Sequence, residues 1–215
     1  MRKTEPPVWH TDRLAELGLS NNIFYDALDL AVADVRACTD FDAPAMRGFT
    51  FWSRTNRYLA EALTPKKWGR TSRDSILRVI HPSGSHCVTA ISGEDGVGNL
   101  KRTVRSKNPK GEAMARVVDM NERLGTALFS RDEALYGREL DQIPTWILLY
   151  KQKKGKLFAE LSLPVRMAGK YVNEWSERIP IDLSGMDDPG ADINLLDSPG
   201  GGGEGPEVMV ELLGG

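Results

Sequence analysis

The segment TWILLYKQKKGKLFAELSLP, residues 145–164, constrains the fold more than any other part of the chain. Trp146 to Tyr150 form an unbroken apolar run, the pattern of a strand covered on both faces. Leu157, Ala159, Leu161 and Leu163 then alternate with Phe158, Glu160 and Ser162, which predicts a half-buried strand with its apolar side inward. The polar KQKKGK between them has the length and the glycine of a hairpin connection. A second hairpin is predicted from SILRVI and HCVTAIS, which flank the turn-forming HPSGS.

Helical periodicity dominates the N-terminal third. In SNNIFYDALDLAVADVRAC, Ile23, Ala27, Leu30, Ala31 and Val35 recur at helical spacing, and Phe24, Leu28 and Val32 broaden the apolar face. Ser20, Asn21 and Asn22 are the candidate caps. A short helix over TDRLAELG would be closed by Gly18, and a longer one around SRTNRYLAEAL lies between Pro44 and Pro65. TPKKWGRTSRD reads as a loop. In NPKGEAMARVVDMNERLG, Asn108 is placed as N-cap, Pro109 as the first helical residue, and Ala113, Val117, Met120 and Leu124 as the apolar stripe. RDEALYGREL adds a shorter helix, and YVNEWSERIPIDL fits a helix or a strand equally.

These patterns give an α+β fold, with N-terminal helices packed on an antiparallel sheet built from two hairpins in one domain, residues 1–182. Residues 183–215 form a Gly/Pro/Asp-rich acidic tail, expected to be flexible, with a short apolar end, EVMVELL. At 215 residues and 40% hydrophobic content the chain can build a core without staples. Its two cysteines, Cys38 and Cys87, make no disulfide framework. The basic start has no apolar stretch behind it, and no run is long enough to cross a bilayer, so the expectation is a cytoplasmic, soluble protein.

The net charge of −2 conceals an asymmetry: residues 179–215 carry eight acids and no Lys or Arg, while residues 1–178 carry a net +6. Residues 54–110 are the most basic stretch, with twelve cations against four acids. Arg54, Arg57, Lys66, Lys67, Arg70, Arg73, Lys101, Arg102, Arg105, Lys107 and Lys110 are the candidate phosphate contacts, and Trp52, Tyr58 and Trp68 the candidate stacking residues. Cations that release counterions, combined with aromatics that stack on bases, are the physical content of nucleic-acid binding. The leading expectation is therefore a non-enzymatic binding protein for nucleic acid or another polyanion, modulated by its acidic tail. An ordinary charged surface over an aromatic core is the competing account of the same residues.

Other chemistry is less well supported. Gly93 and Gly98 have the glycine spacing of a phosphate loop, but Asn99 and Leu100 stand where Lys and Ser/Thr belong, and Glu94 and Asp95 lie inside it. His81, His86 and Cys87 are ligand-type residues without the paired spacing of a zinc module. No cofactor motif is present. Two alternatives stand beside the leading one. One is a protein-interaction subunit of a larger bacterial-type assembly that docks through the C-terminal tail. The other is a metal-dependent hydrolase or nuclease using Glu94, Asp95, His81 and His86.

Overall fold

A computed structural model of the chain describes residues 8–126 and 143–186. Among them are four helices and six strands in one sheet, in the spatial order of the sequence. The strands are β1 (Gly69–Thr71), β2 (Arg78–Ile80), β3 (Cys87–Ser92), β4 (Thr145–Lys153), β5 (Lys156–Ala168) and β6 (Tyr171–Ile181). All neighbours pair antiparallel except β3 and β4, which run parallel from Cys87–Thr145 to Ser92–Tyr150. A parallel pair needs a crossover. Here it is supplied by a loop over residues 93–111 and the helix α4 (Glu112–Thr126).

The α+β fold stands, and its sheet is larger than two hairpins. Both expected hairpins form, β2–β3 and β4–β5. The β4–β5 turn uses Lys154 and Gly155, both with positive φ (50° and 75°), the twist that suits a two-residue hairpin. YVNEWSERIPI resolves as β6, a third hairpin partner for β5. Part of the segment expected to be a loop forms the short edge strand β1. RDEALYGREL and the tail beyond Met186 lie outside the described residues.

Helices α1 (Val8–Glu16), α2 (Asn21–Arg36) and α3 (Met46–Leu63) cover one face of the sheet. Phe24, Leu28, Phe51, Leu59 and Leu63 are fully buried there against Val88, Leu148 and Leu161. Each such side chain contributes roughly 1.5–3 kcal/mol through burial. Leu30, placed on the α2 stripe by spacing, points outward instead. Helix α4 and the 93–111 loop cover the other face, around Ile91, Ile147, Leu149 and Val172. The buried side of α4 is Met114, Val117 and Val118; of the expected stripe Val117 is buried, Ala113 packs at its margin, and Met120 and Leu124 are half-buried. The helix also starts later than Asn108–Pro109 would place it, at Glu112. The backbone N–H of Lys110 donates to the Lys170 carbonyl at 2.7 Å, tying this segment to the β5–β6 turn before the helix begins.

Two buried asparagines complete the backbone bonding. Strand β3 runs past the end of β2, which leaves the edge groups of Ala90 without a strand partner. Asn56 of α3 takes that place: its Oδ1 accepts the Ala90 N–H at 2.9 Å and its Nδ2 donates to the Ala90 carbonyl at 3.0 Å. Asn121 of α4 does the same between strands, accepting the Thr145 N–H and donating to the Thr145 and Pro164 carbonyls. Helix α1 is fixed by a bidentate ion pair from Arg13 to Glu177 of β6. The amide of Asn21 clasps the backbone of Asp182 where β6 ends.

Candidate anion-binding cleft

The glycine-rich stretch after β3 is a closed Ω-like excursion. Its ends meet at an antiparallel bridge between Gly93 and Ser106. Glu94 then pairs with Arg105 through two bonds of 2.6 and 2.8 Å, and Arg105 stacks on Tyr171 at 4.5 Å. Ser106 exchanges bonds with Val172, and the Trp175 indole donates to the Val104 carbonyl at 2.9 Å. The loop therefore lies on the sheet instead of reaching into solvent. Gly96 needs its φ of +118°, and a Cβ there would run into the Thr103 carbonyl.

A buried ion pair holds the loop tip. Glu160 of β5 is 0% exposed and receives Arg178 of β6 in bidentate fashion, at 2.8 and 2.7 Å. The same carboxylate accepts the Gly98 N–H at 2.8 Å and the Ser162 hydroxyl at 2.9 Å. Arg178 spends its other N–H groups on the carbonyls of Arg102, Gly96 and Asn99. Both charges are thus met by hydrogen-bonding partners, the condition for tolerating a buried pair.

An open cleft of about 660 Å³ lies between this tip and the ends of β4, β5 and β6. Lys101 and Arg102 come from the loop, and Lys151 and Lys153 from β4. The acids on its lining are Asp95, which pairs with Lys153 at 2.5 Å, and Asp182. The ion pair draws the Asp95 carboxyl below its ordinary range, Lys153 being the main cause. Lys101, Arg102 and Lys151 make no ion pair among the described residues. Val97, Leu100, Phe158 and Ile181 supply apolar wall, with Leu100 45% and Phe158 41% exposed. The cleft thus offers three cations that make no ion pair among the described residues, two of which, Lys151 and Arg102, act on Asp95 at longer range, beside an accessible aromatic ring.

The other candidate residues are dispersed. Arg54 pairs with Asp34 and Arg57 with Glu61, on the outer side of α3. The Tyr58 hydroxyl donates to Asp34, and Trp52 is half-buried beside Phe49. Lys66, Lys67, Arg70 and Arg73 are exposed around β1, at the opposite edge of the sheet from β6. Five strand spacings separate those edges, roughly 24 Å. Trp68 is buried in edge contact with His81 and His86, so its ring faces protein. Lys110 is only 7% exposed, and burial lowers its ammonium pKa to about 8. Of the expected set, Lys101 and Arg102 line the cleft; Arg105 and Lys107 belong to the same loop away from it.

The four residues of the metal-centred alternative are not brought together. His81 and His86 stack at the β2–β3 turn, while Glu94 and Asp95 follow the other end of β3, six residues or about 20 Å away. No group of three potential ligands comes together among the described residues. Burial holds the Cys87 thiol up at about 11, which keeps it protonated and inert. Phe158 and Arg178 lie outside the set expected from the sequence. The signal for Phe158 was available: it is an aromatic in the polar register of an alternating strand. Arg178 carries no such signal. Comparison of the chain with protein-family models, with curated proteins and with solved structures finds no match.

Proposed function

We propose that the protein is a non-enzymatic binding protein for a polyanion, with single-stranded nucleic acid as the ligand class that suits the cleft best. The observation that carries this reading is the placement of Lys101, Arg102 and Lys151, without ion-pair partners among the described residues, around the exposed ring of Phe158. Cations spaced along a cleft meet successive phosphates, and an accessible aromatic face stacks on a base of any sequence. The fixed loop tip means that little ordering entropy is lost on binding.

The test is fluorescence anisotropy with labelled single-stranded DNA and RNA oligonucleotides over a salt series. Three neutralised phosphates give a slope of log K against log salt of about −2. Replacing Lys101, Arg102 and Lys151 together by Glu abolishes binding. Phe158→Ala weakens it by about 5- to 150-fold, the range of one base stack. Arg70→Glu, at the far edge of the sheet, leaves affinity unchanged. Absence of binding at low salt, or a triple variant that binds like the parent, refutes the reading.

A further inference from the structure

We propose that the cleft has an occupant within the chain itself: the segment Glu207–Leu213, EVMVELL, docks there in cis and competes with the anionic ligand. The competition rests on the polyanion reading of the cleft; the contact itself does not.

Three observations converge on this segment. First, the cleft is both basic and apolar, with Lys101, Arg102 and Lys151 around Val97, Leu100 and Phe158. Base stacking would use Phe158 but leaves Val97 and Leu100 without a role. The segment matches both properties, with Val208, Met209 and Val210 between Glu207 and Glu211, then Leu212 and Leu213. Second, the last described residues lie beside the cleft. Pro180, Ile181 and Asp182 line it, and Leu183 and Met186 pack against the adjoining core. Third, the connection is of suitable length. Residues 187–206 number twenty and are rich in Gly, Pro and Asp, without Lys or Arg. Twenty residues can reach up to roughly 66 Å, more than a return to the rim requires. Such tethering gives an effective concentration in the millimolar range. A contact of only millimolar intrinsic affinity is then populated, yet remains displaceable by an oligonucleotide. The seven acids from Asp187 to Glu211 add attraction to the cleft and repulsion toward a phosphate chain within a Debye length of about 8 Å.

The test uses the full chain. Cys38→Ser removes the accessible thiol, Cys87 is buried, and Gly214→Cys carries a nitroxide label. In isotope-labelled protein without ligand, the amides of Gly98–Arg102 and Phe158 should broaden. Val208→Ser, Val210→Ser and Leu212→Ser together, which remove the apolar side chains and leave the charge unchanged, should remove the broadening. The same triple substitution in the unlabelled chain should raise oligonucleotide affinity about tenfold at low salt. Broadening elsewhere, or none, overturns the proposal. Broadening of isotope-labelled protein by a separate spin-labelled copy overturns it in favour of docking between molecules. Cleft broadening without any oligonucleotide binding leaves the contact standing and removes the nucleic-acid reading. Oligonucleotide binding without cleft broadening does the reverse.

Discussion

Glu160 shows how far a residue's neighbours in space can depart from its neighbours in sequence. The alternation of β5 assigns it to a solvated face. The 93–111 loop covers that face, and the carboxylate ends fully buried against Arg178. Removing one member of such a pair strands the other charge, so Glu160→Leu should cost about 3–5 kcal/mol in a denaturant titration. The double variant with Arg178→Leu should recover part of that loss, because the stranded charge is gone. A single variant within about 1 kcal/mol of the parent would show that the clamp contributes little. Arg78 is the opposite case. It is 3% exposed, its Nε has no hydrogen-bond partner, and it makes no ion pair among the described residues. Arg78→Met keeps the volume and removes a buried Nε that has no partner among the described residues, so stability in a denaturant titration should rise by about 1 kcal/mol. No sequence pattern distinguishes these two arginines, since the difference lies wholly in what packs over them.

At the scale of elements, periodicity was informative wherever one face meets a core. Helix α2 and strands β4 and β5 could be located because their apolar residues repeat at 3.6 or 2, or run unbroken. Strand β6 could not, because Asn173, Glu174, Ser176, Glu177 and Arg178 dilute its pattern and several bind partners far along the chain. Asn108 and Pro109 are good local cap chemistry, but the Lys110–Lys170 backbone bond prevails and α4 starts at Glu112. Asn56→Ala tests the junction of α3 and β3. It leaves the Ala90 N–H and carbonyl unpaired in the interior and should cost about 2–4 kcal/mol. The β2–β3 turn carries a pH dependence. Burial, aided by the neighbouring His81, lowers the His86 pKa to about 4, and burial also lowers that of His81. The unfolded chain, with His86 near 6.5, binds more protons than the folded one between these values. Stability is therefore full above about pH 6.5, falls as pH drops toward 4, and levels off below it. The contribution of His86 is on the order of 3 kcal/mol. His86→Phe should flatten this part of the stability–pH curve relative to the parent; an unchanged slope would exclude His86 as its source.

At the scale of the whole molecule, the question is which charges meet. Residues 54–110 look like one basic block in the sequence, but the sheet sends Arg70 and Arg73 to one edge and Lys101 and Arg102 toward the other. The cleft then recruits Lys151 and Lys153 from outside the block. Deleting residues 187–215 removes seven acids and no Lys or Arg, so oligonucleotide affinity at low salt should increase and the gain should shrink as salt rises. A salt-independent change would point to lost apolar contacts instead of charge. What the sequence by itself determined is the α+β class, the main helices, two hairpins and the acidic tail composition, because these follow from local spacing and amino-acid content. Tertiary structure alone decided which of the basic residues form a site, why Glu160 is buried, and that the glycine-rich loop after β3 lies clamped to the sheet. Those depend on residues up to 82 positions apart, such as Arg178 and Gly96, being brought within hydrogen-bonding distance by the register of the strands.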